Sequence, residues 1–144
     1  MHRYDIYLLQ PDVAKRFIRA EAKLFQLFEE YETVKPLYHI VKKQIAYICR
    51  PLPVHDICEQ FSLDRIDTTP NERELLFMEG EDGVKVAMND ERMQIWSDGN
   101  MGDEWPWFDQ LQTYDPYFFA CDIHRQKYGW LKPIKFKSLL LENV

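Results

Sequence analysis

The spacing of apolar residues at the start of the chain predicts a strand followed by a long helix. Residues 3–9 alternate and are rich in Tyr, Ile and Leu, as in a half-buried strand. Pro11 and Asp12 favour a helix start, because proline suits the first turn and an acid there faces the positive end of the helix dipole. Apolar residues then recur at helical spacing from Val13 to Tyr31, which predicts one continuous helix.

A second helix is predicted from about Pro36 to Arg50, where the same spacing returns. Its apolar face comprises Leu37, Ile40, Val41, Ile45 and Ile48. Pro51 and Pro53 end this helix, because proline lacks a backbone N–H and restricts the residue before it. Residues 54–61 form a candidate third, short helix, and residues 68–71 a loop.

The second half of the chain is dominated by short strand patterns. Strands are predicted at Leu75–Glu79, Val84–Met88, Met93–Ser97 and Tyr117–Ile123. Turn residues at 81–83 and 89–90 make an antiparallel meander the simplest arrangement of the first three strands. A loop at 99–102 leads into a helix near 103–112. The expected fold is α+β, a mostly antiparallel sheet with helices packed on one side, in a single domain spanning residues 1–144.

Composition narrows the class of protein. The chain has 144 residues, a length typical of one domain. Its net charge is −6, which argues against direct binding to nucleic acid, since phosphate binding depends on Lys and Arg. Apolar residues make up 46% of the sequence, too many for a disordered acidic tail. These figures indicate a folded acidic protein.

Targeting and redox signals favour the cytoplasm. The apolar run at the amino terminus is too short for a signal peptide and is interrupted by Asp5. No stretch reaches the length of a membrane span. Three cysteines at unrelated spacings are typical of reduced thiols.

The sequence contains one candidate metal site. His55-x-x-Cys58 and Cys121-x-x-His124 together supply four residues that can close a tetrahedral zinc site. Neither half is a paired-cysteine motif, so ordinary burial of the cysteines is the favoured interpretation. A small metal-binding protein or enzyme that uses these four residues remains the alternative function, and the favoured prediction is no metal and no cofactor.

Patterns typical of catalytic and nucleotide-binding sites are weaker than the pattern of the candidate metal site. Asp122 and His124 share a strand face and can form an acid–base pair, but polar strand ends are usually just solvated. Scattered glycines form no phosphate-binding loop. Trp105, Trp107 and Trp130 could stack nucleic-acid bases, yet the surrounding residues are acidic, which favours side-chain packing instead.

The first two helices carry more apolar surface than one stripe facing a sheet requires. Val13 and Phe17 lie one turn apart on the first helix, and Gln44 and Tyr47 lie three residues apart on the second. Glu21 falls within the apolar arc of the first helix. Apolar groups beside an amide and a phenol are typical of a protein-binding surface, although the two helices could equally pack against each other.

Three blocks of the chain resemble the sporulation inhibitor of replication family, SirA, of Bacillus-type spore formers. The first block contains Tyr7-Leu8, Ala14, Phe17, Glu21 and Leu24-Phe25-x-Leu27-Phe28-x-x-Tyr31. The second is Lys43-Gln44-Ile45-x-Tyr47-Ile48-x-x-Pro51-x-Pro53. The third contains Phe118-x-Ala120-x-Asp122 and Lys127-Tyr128-Gly129-Trp130-Leu131-x-Pro133. Residues 55–110 contribute little to the resemblance.

The resemblance implies a non-enzymatic inhibitor of replication initiation that acts during sporulation. Members of the family bind domain I of the initiator DnaA, through two residues on each of two helices. Carried over by position, these residues are Val13, Phe17, Gln44 and Tyr47. Val13 stands where the family has phenylalanine, and Phe17 where it has tyrosine. The implied assembly is a monomer that binds one DnaA domain, without nucleic acid or membrane.

Overall fold

The computed structural model describes residues 2–34, 36, 38–61, 64–68, 76–79, 84–97 and 105–132. The helices of these ranges are α1 (Pro11–Arg16), α2 (Glu21–Thr33), α3 (Tyr38–Ile48), α4 (Val54–Gln60) and α5 (Trp105–Tyr114). The strands are β1 (His2–Leu8), β2 (Asp64–Thr68), β3 (Leu76–Glu79), β4 (Lys85–Met88), β5 (Met93–Ser97), β6 (Phe118–Asp122) and β7 (Lys127–Trp130).

All seven strands belong to one antiparallel sheet, in the order β2-β3-β4-β5-β1-β6-β7. The first strand lies inside the sheet, where Ile6 is opposite Met93 of β5 and Ala120 of β6. The predicted α+β class with an antiparallel sheet is confirmed, and so is the meander of β3, β4 and β5.

The two faces of the sheet bury different side chains. Ile6 and Leu8 point into one apolar core, the α5-side core, which includes Ile57 of α4 and Leu111 of α5. Tyr7 and Leu9 point into the other. This α3-side core also includes Val13, Ala14, Leu24, Phe25, Phe28, Tyr31, Val41, Ile45, Cys49, Phe119 and Cys121. Helices therefore cover both faces, where the sequence placed them on one.

The predicted continuous helix from Val13 to Tyr31 is two helices. The chain leaves helical geometry after Arg16, and Phe17 has φ −101° and ψ 13°. The N–H of Ala20 then donates to the carbonyl of Phe17 at 2.9 Å, which closes a turn before α2 begins at Glu21. Apolar spacing alone does not reveal the break, because both segments bury residues in the same core.

A buried polar cluster fixes the end of α2 on the sheet. Asp5 is buried and accepts a hydrogen bond from the amide of Gln94 at 3.0 Å. Arg92 pairs with Glu32 of α2, and Arg3 contacts both Glu32 and Asp5. Burial raises the pKa of Asp5, while the two arginines partly offset this by favouring the charged form.

Several boundaries differ from the prediction. The second helix is α3, which is shorter than 36–50, and the short helix at 54–61 is confirmed as α4. Strands β2 and β7 were not predicted, because charged residues or a glycine interrupt their apolar patterns. Predictions at Leu37, 69–71, Leu75, 81–83 and 99–104 lie outside the described residues. Within the described ranges, no helix is long and apolar enough to cross a membrane.

Candidate functional site: a surface on α1 and α3

Backbone hydrogen bonds join the start of α1 to the end of α3. The N–H of Gln10 donates to the carbonyl of Ile48 at 2.9 Å, and Leu9 pairs with Cys49 in an isolated bridge. The N–H of Arg50 donates to the carbonyl of Leu8 at 2.7 Å. The segment that leaves β1 therefore runs antiparallel to the residues that end α3, and the start of α1 is held at the end of α3.

The side chain of Arg50 reinforces this junction. Its Nε donates to the carbonyl of Leu9 at 2.9 Å. Its two terminal nitrogens donate to the carboxylate of Asp115 at 2.9 and 3.0 Å. A bidentate pair of this kind is geometrically restrictive, so it orients Arg50 against Leu9 and contributes to the placement of α1.

The two predicted residues of the first helix lie in or against the core. Val13 on α1 is only 7% exposed and belongs to the α3-side core. Phe17, immediately after α1, is half-buried against the same core. The N–H of Phe17 donates to the carbonyl of Val13 at 3.0 Å, which keeps the two side chains one turn apart.

The two predicted residues of α3 lie on its outer face. Val41 and Ile45 are buried in the α3-side core, so the opposite side of the helix faces solvent. Gln44 is exposed, and Tyr47 is 82% exposed. A tyrosine this exposed contributes little to folding and leaves its whole ring available to a partner.

One exposed residue of α3 was missed by the sequence analysis. Ile40 was predicted on the apolar face with Val41 and Ile45, but it is 59% exposed. The usable signal is its spacing of seven residues from Tyr47, since two turns of helix place these side chains on nearly the same line. Glu21 lies in the first turn of α2, on the side of the helix that buries Phe25 and Phe28, and it is half-buried.

The four residues proposed for zinc are not brought together. Cys58 packs against the α5-side core, whereas Cys121 is buried in the α3-side core on the other face of the sheet. His55 pairs with Glu59 at 3.0 Å, and His124 is exposed. The described ranges hold no group of three metal-ligating side chains. The zinc hypothesis therefore lacks geometric support.

The cysteines and Asp122, the acid of the possible acid–base pair, are held by burial and ion pairing. Burial raises the pKa of the Cys49 thiol to about 12 and that of Cys121 well above its ordinary value, so both are protonated at neutral pH. Burial also raises the pKa of Cys58. Asp122 is buried and accepts from Arg125, whose Nε lies 2.5 Å from the carboxylate. The pairing with His124, which the sequence allowed but did not favour, gives way to this ion pair.

The three tryptophans that could have formed a stacking platform lie in different surroundings. Trp107 is buried and stacks on Phe61 with ring centroids 4.6 Å apart. Trp130 is half-buried and meets Phe119 edge-on at 5.1 Å. Trp105 is 61% exposed. Side-chain packing, as the sequence favoured, accounts for two of them.

Comparison with known proteins gives two consistent results. A family model described as "Sporulation inhibitor of replication protein SirA" matches residues 2–135. A curated protein of Bacillus subtilis (strain 168), also named "Sporulation inhibitor of replication protein SirA", is 24% identical over 144 residues. The alignment covers 95% of this chain and 97% of that protein. Both matches include α1 and α3 with all four predicted surface residues.

Proposed function

The chain belongs to the SirA family of sporulation inhibitors of replication, and on that premise we propose that it inhibits initiation of chromosome replication during sporulation. It does so as a non-enzymatic protein that binds domain I of the initiator DnaA. The binding surface is formed by α1 and α3 and contains Val13, Phe17, Gln44 and Tyr47. One copy of the chain binds one DnaA domain.

The exposure of Tyr47 is the observation that carries this proposal. Tyr47 is 82% exposed on a helix whose opposite face is buried in the core. Tyrosine is enriched where proteins bind each other, because its ring supplies contact area and its hydroxyl a directional hydrogen bond; a neighbouring amide adds further hydrogen-bonding groups. Gln44, three residues earlier and exposed, provides that amide.

The four residues have different roles in the proposed complex. The ring of Tyr47 enters a pocket on the DnaA domain, and Gln44 hydrogen-bonds to polar groups at its edge. Phe17 contributes the exposed part of its ring, and Val13 supports Phe17 from the core. Inhibition follows because the bound domain cannot use the covered surface for its own assembly or for other regulators.

The proposal is tested by titrating the full chain and its variants against isolated DnaA domain I. We expect Tyr47→Ala and Phe17→Ala each to weaken binding by about 2 kcal/mol, a factor of roughly 30, as for hot-spot aromatic residues. Trp105→Ala is the matched control. It removes an aromatic residue of comparable exposure from α5, which covers the opposite face of the sheet, and should leave affinity unchanged.

Wild-type affinity in both folded variants would show that α1 and α3 do not form the binding surface. A wild-type chain that does not bind domain I at all would reject the DnaA proposal itself. Circular dichroism of each variant establishes that it is folded, which matters most for Phe17 because that side chain is half-buried.

A further inference from the structure

The exposed apolar surface of α3 extends beyond the four predicted residues. Ile40 is 59% exposed, and it lies seven residues before Tyr47 and four before Gln44. Because a helix turns about 100° per residue, Ile40 and Tyr47 differ in direction by only about 20°. A β-branched residue has no advantage at an exposed helical position, so its place there is not explained by helix formation.

The same face carries a positive charge. Lys43 is exposed and lies four residues before Tyr47, so the two side chains are neighbours along the helix. Lys42 belongs to a different environment. Its ammonium lies 5.7 Å from the centre of the Tyr38 ring, and it lines a cleft that also contains Asp90 and Glu91. Lys43 is therefore the cation that faces outward beside Tyr47.

The two helices that carry this face are themselves basic, although the chain as a whole is acidic. Helix α3 contains Lys42 and Lys43 and no acidic residue. The last turn of α1 adds the exposed Lys15 and Arg16. The only acidic residue of the two helices is Asp12 in the first turn of α1, so α1 and α3 together carry a net charge of +3, in a chain whose net charge is −6 and whose helix α2, packed against α3, is acidic. Local charge of this kind favours a partner of opposite sign.

We propose that the docking surface extends along α3 to Ile40 and Lys43, and that it binds a protein surface with an apolar centre and an acidic rim. The inference rests on the proposed function, because the partner is the same DnaA domain. Ile40 enlarges the apolar contact around Tyr47. Lys43 approaches carboxylates of the partner and accelerates association. A protein is favoured over nucleic acid because the centre of the surface is an isoleucine and a tyrosine.

The experiment compares Ile40→Ala, Lys43→Gln and Lys43→Glu with Tyr47→Ala in binding to DnaA domain I at two salt concentrations. We expect Ile40→Ala to weaken binding about tenfold. Lys43→Glu should slow association several-fold and make it less sensitive to salt, with Lys43→Gln intermediate. Trp105→Ala and Lys127→Glu, at exposed positions on α5 and β7, are the matched controls.

The outcomes separate this inference from the proposed function. If Tyr47→Ala loses binding while Ile40→Ala and both Lys43 variants match their controls, the extension is overturned and the proposed function stands. If Tyr47→Ala also binds like wild type, the outer face of α3 is not the docking surface and the extension fails; if the wild-type chain does not bind domain I, the proposed function fails as well. A parallel titration with duplex DNA should show no binding. DNA binding that is lost in Lys43→Glu would overturn the assignment of this face to a protein.

Discussion

The two helices of the proposed binding surface contribute to it in different ways. Val13 on α1 is 7% exposed and Phe17, immediately after α1, is half-buried, so both belong largely to the core. On α3, Tyr47 is 82% exposed and Gln44 is also on the surface. The sequence predicted one surface from all four residues, an apolar pair beside an amide and a phenol. In the structure Val13 is buried and Phe17 is half-buried, whereas Gln44 and Tyr47 are exposed.

This difference separates the requirements of folding from those of binding. A side chain inside the core stabilises the fold, so its replacement changes the free energy of unfolding before it changes any contact with a partner. A side chain on the outer face of α3 has few contacts within the protein. Its replacement can therefore change affinity while stability stays almost constant. Substitutions of matched chemistry on the two helices should reveal this contrast.

The largest expected effect comes from placing the same charge on each helix. Val13→Asp puts a carboxylate into the α3-side core, with an expected loss of about 3 kcal/mol or more in the free energy of unfolding. Tyr47→Asp puts the same group on an exposed helix face, where we expect a change of about 0.5 kcal/mol or less. Urea denaturation of both variants measures the difference.

Equal losses of stability in the two variants would contradict the assignment of Val13 to the core and Tyr47 to the surface. Val13→Ile serves as the control for the first substitution, because it keeps an apolar side chain at the site. Its destabilisation should be much smaller than that of Val13→Asp, since only a methylene group has to be accommodated.

A smaller effect is expected at the junction that holds the two helices together. Arg50→Ala removes the hydrogen bond to Leu9 and the bidentate pair with Asp115. Hydrogen bonds of charged groups contribute about 1.5–3 kcal/mol each when they are buried. Arg50 and Asp115 are partly solvated, which weakens each of these bonds. We therefore expect the loss of all three to lower the free energy of unfolding by about 2 kcal/mol in total.

Thermal or chemical denaturation measures the stability of Arg50→Ala, and Lys85→Ala at an exposed strand position is its control. The outcome bears directly on how α1 is placed. A loss no larger than that of Lys85→Ala would mean that the backbone hydrogen bonds of Gln10 and Arg50 hold the two helices together unaided.

Sequence reasoning predicted the elements whose apolar pattern matches one buried face. Strand β5 was predicted with its observed bounds, and α3 and β6 were predicted with shifted ends, because alternation or helical spacing is continuous in them. The break between α1 and α2 was missed, since Phe17 and Ile18 continue the apolar spacing through a turn. The turn is determined by the backbone, which bonds Ala20 to Phe17, and that contact leaves no mark on the spacing.

The candidate surface shows the same limit on what apolar spacing in the sequence can predict. Spacing placed Gln44 and Tyr47 on one side of a helix, but it also placed Ile40 among the buried residues. Which of two neighbouring apolar stripes is buried depends on the position of α3 relative to the sheet and α1. That position is determined by long-range contacts such as Leu9 with Cys49 and Arg50 with Asp115, which a helical pattern does not contain.

The smallest effect is expected at Gln44, and it tests whether the exposed half of the surface recognises its partner through polar contacts. Gln44→Ala removes an amide that hydrogen-bonds in the proposed complex, which should weaken binding to DnaA domain I by about 1 kcal/mol, a factor of roughly five. Stability should be unchanged, because Gln44 is exposed.

Gln110→Ala, on the solvent side of α5, is the matched control, since it removes the same group from an exposed helical position. Calorimetric titration of both variants decides the point. If Gln44→Ala and Gln110→Ala bind domain I with equal affinity, the Gln44 amide makes no contact with the partner, and Tyr47 is the principal contact of α3.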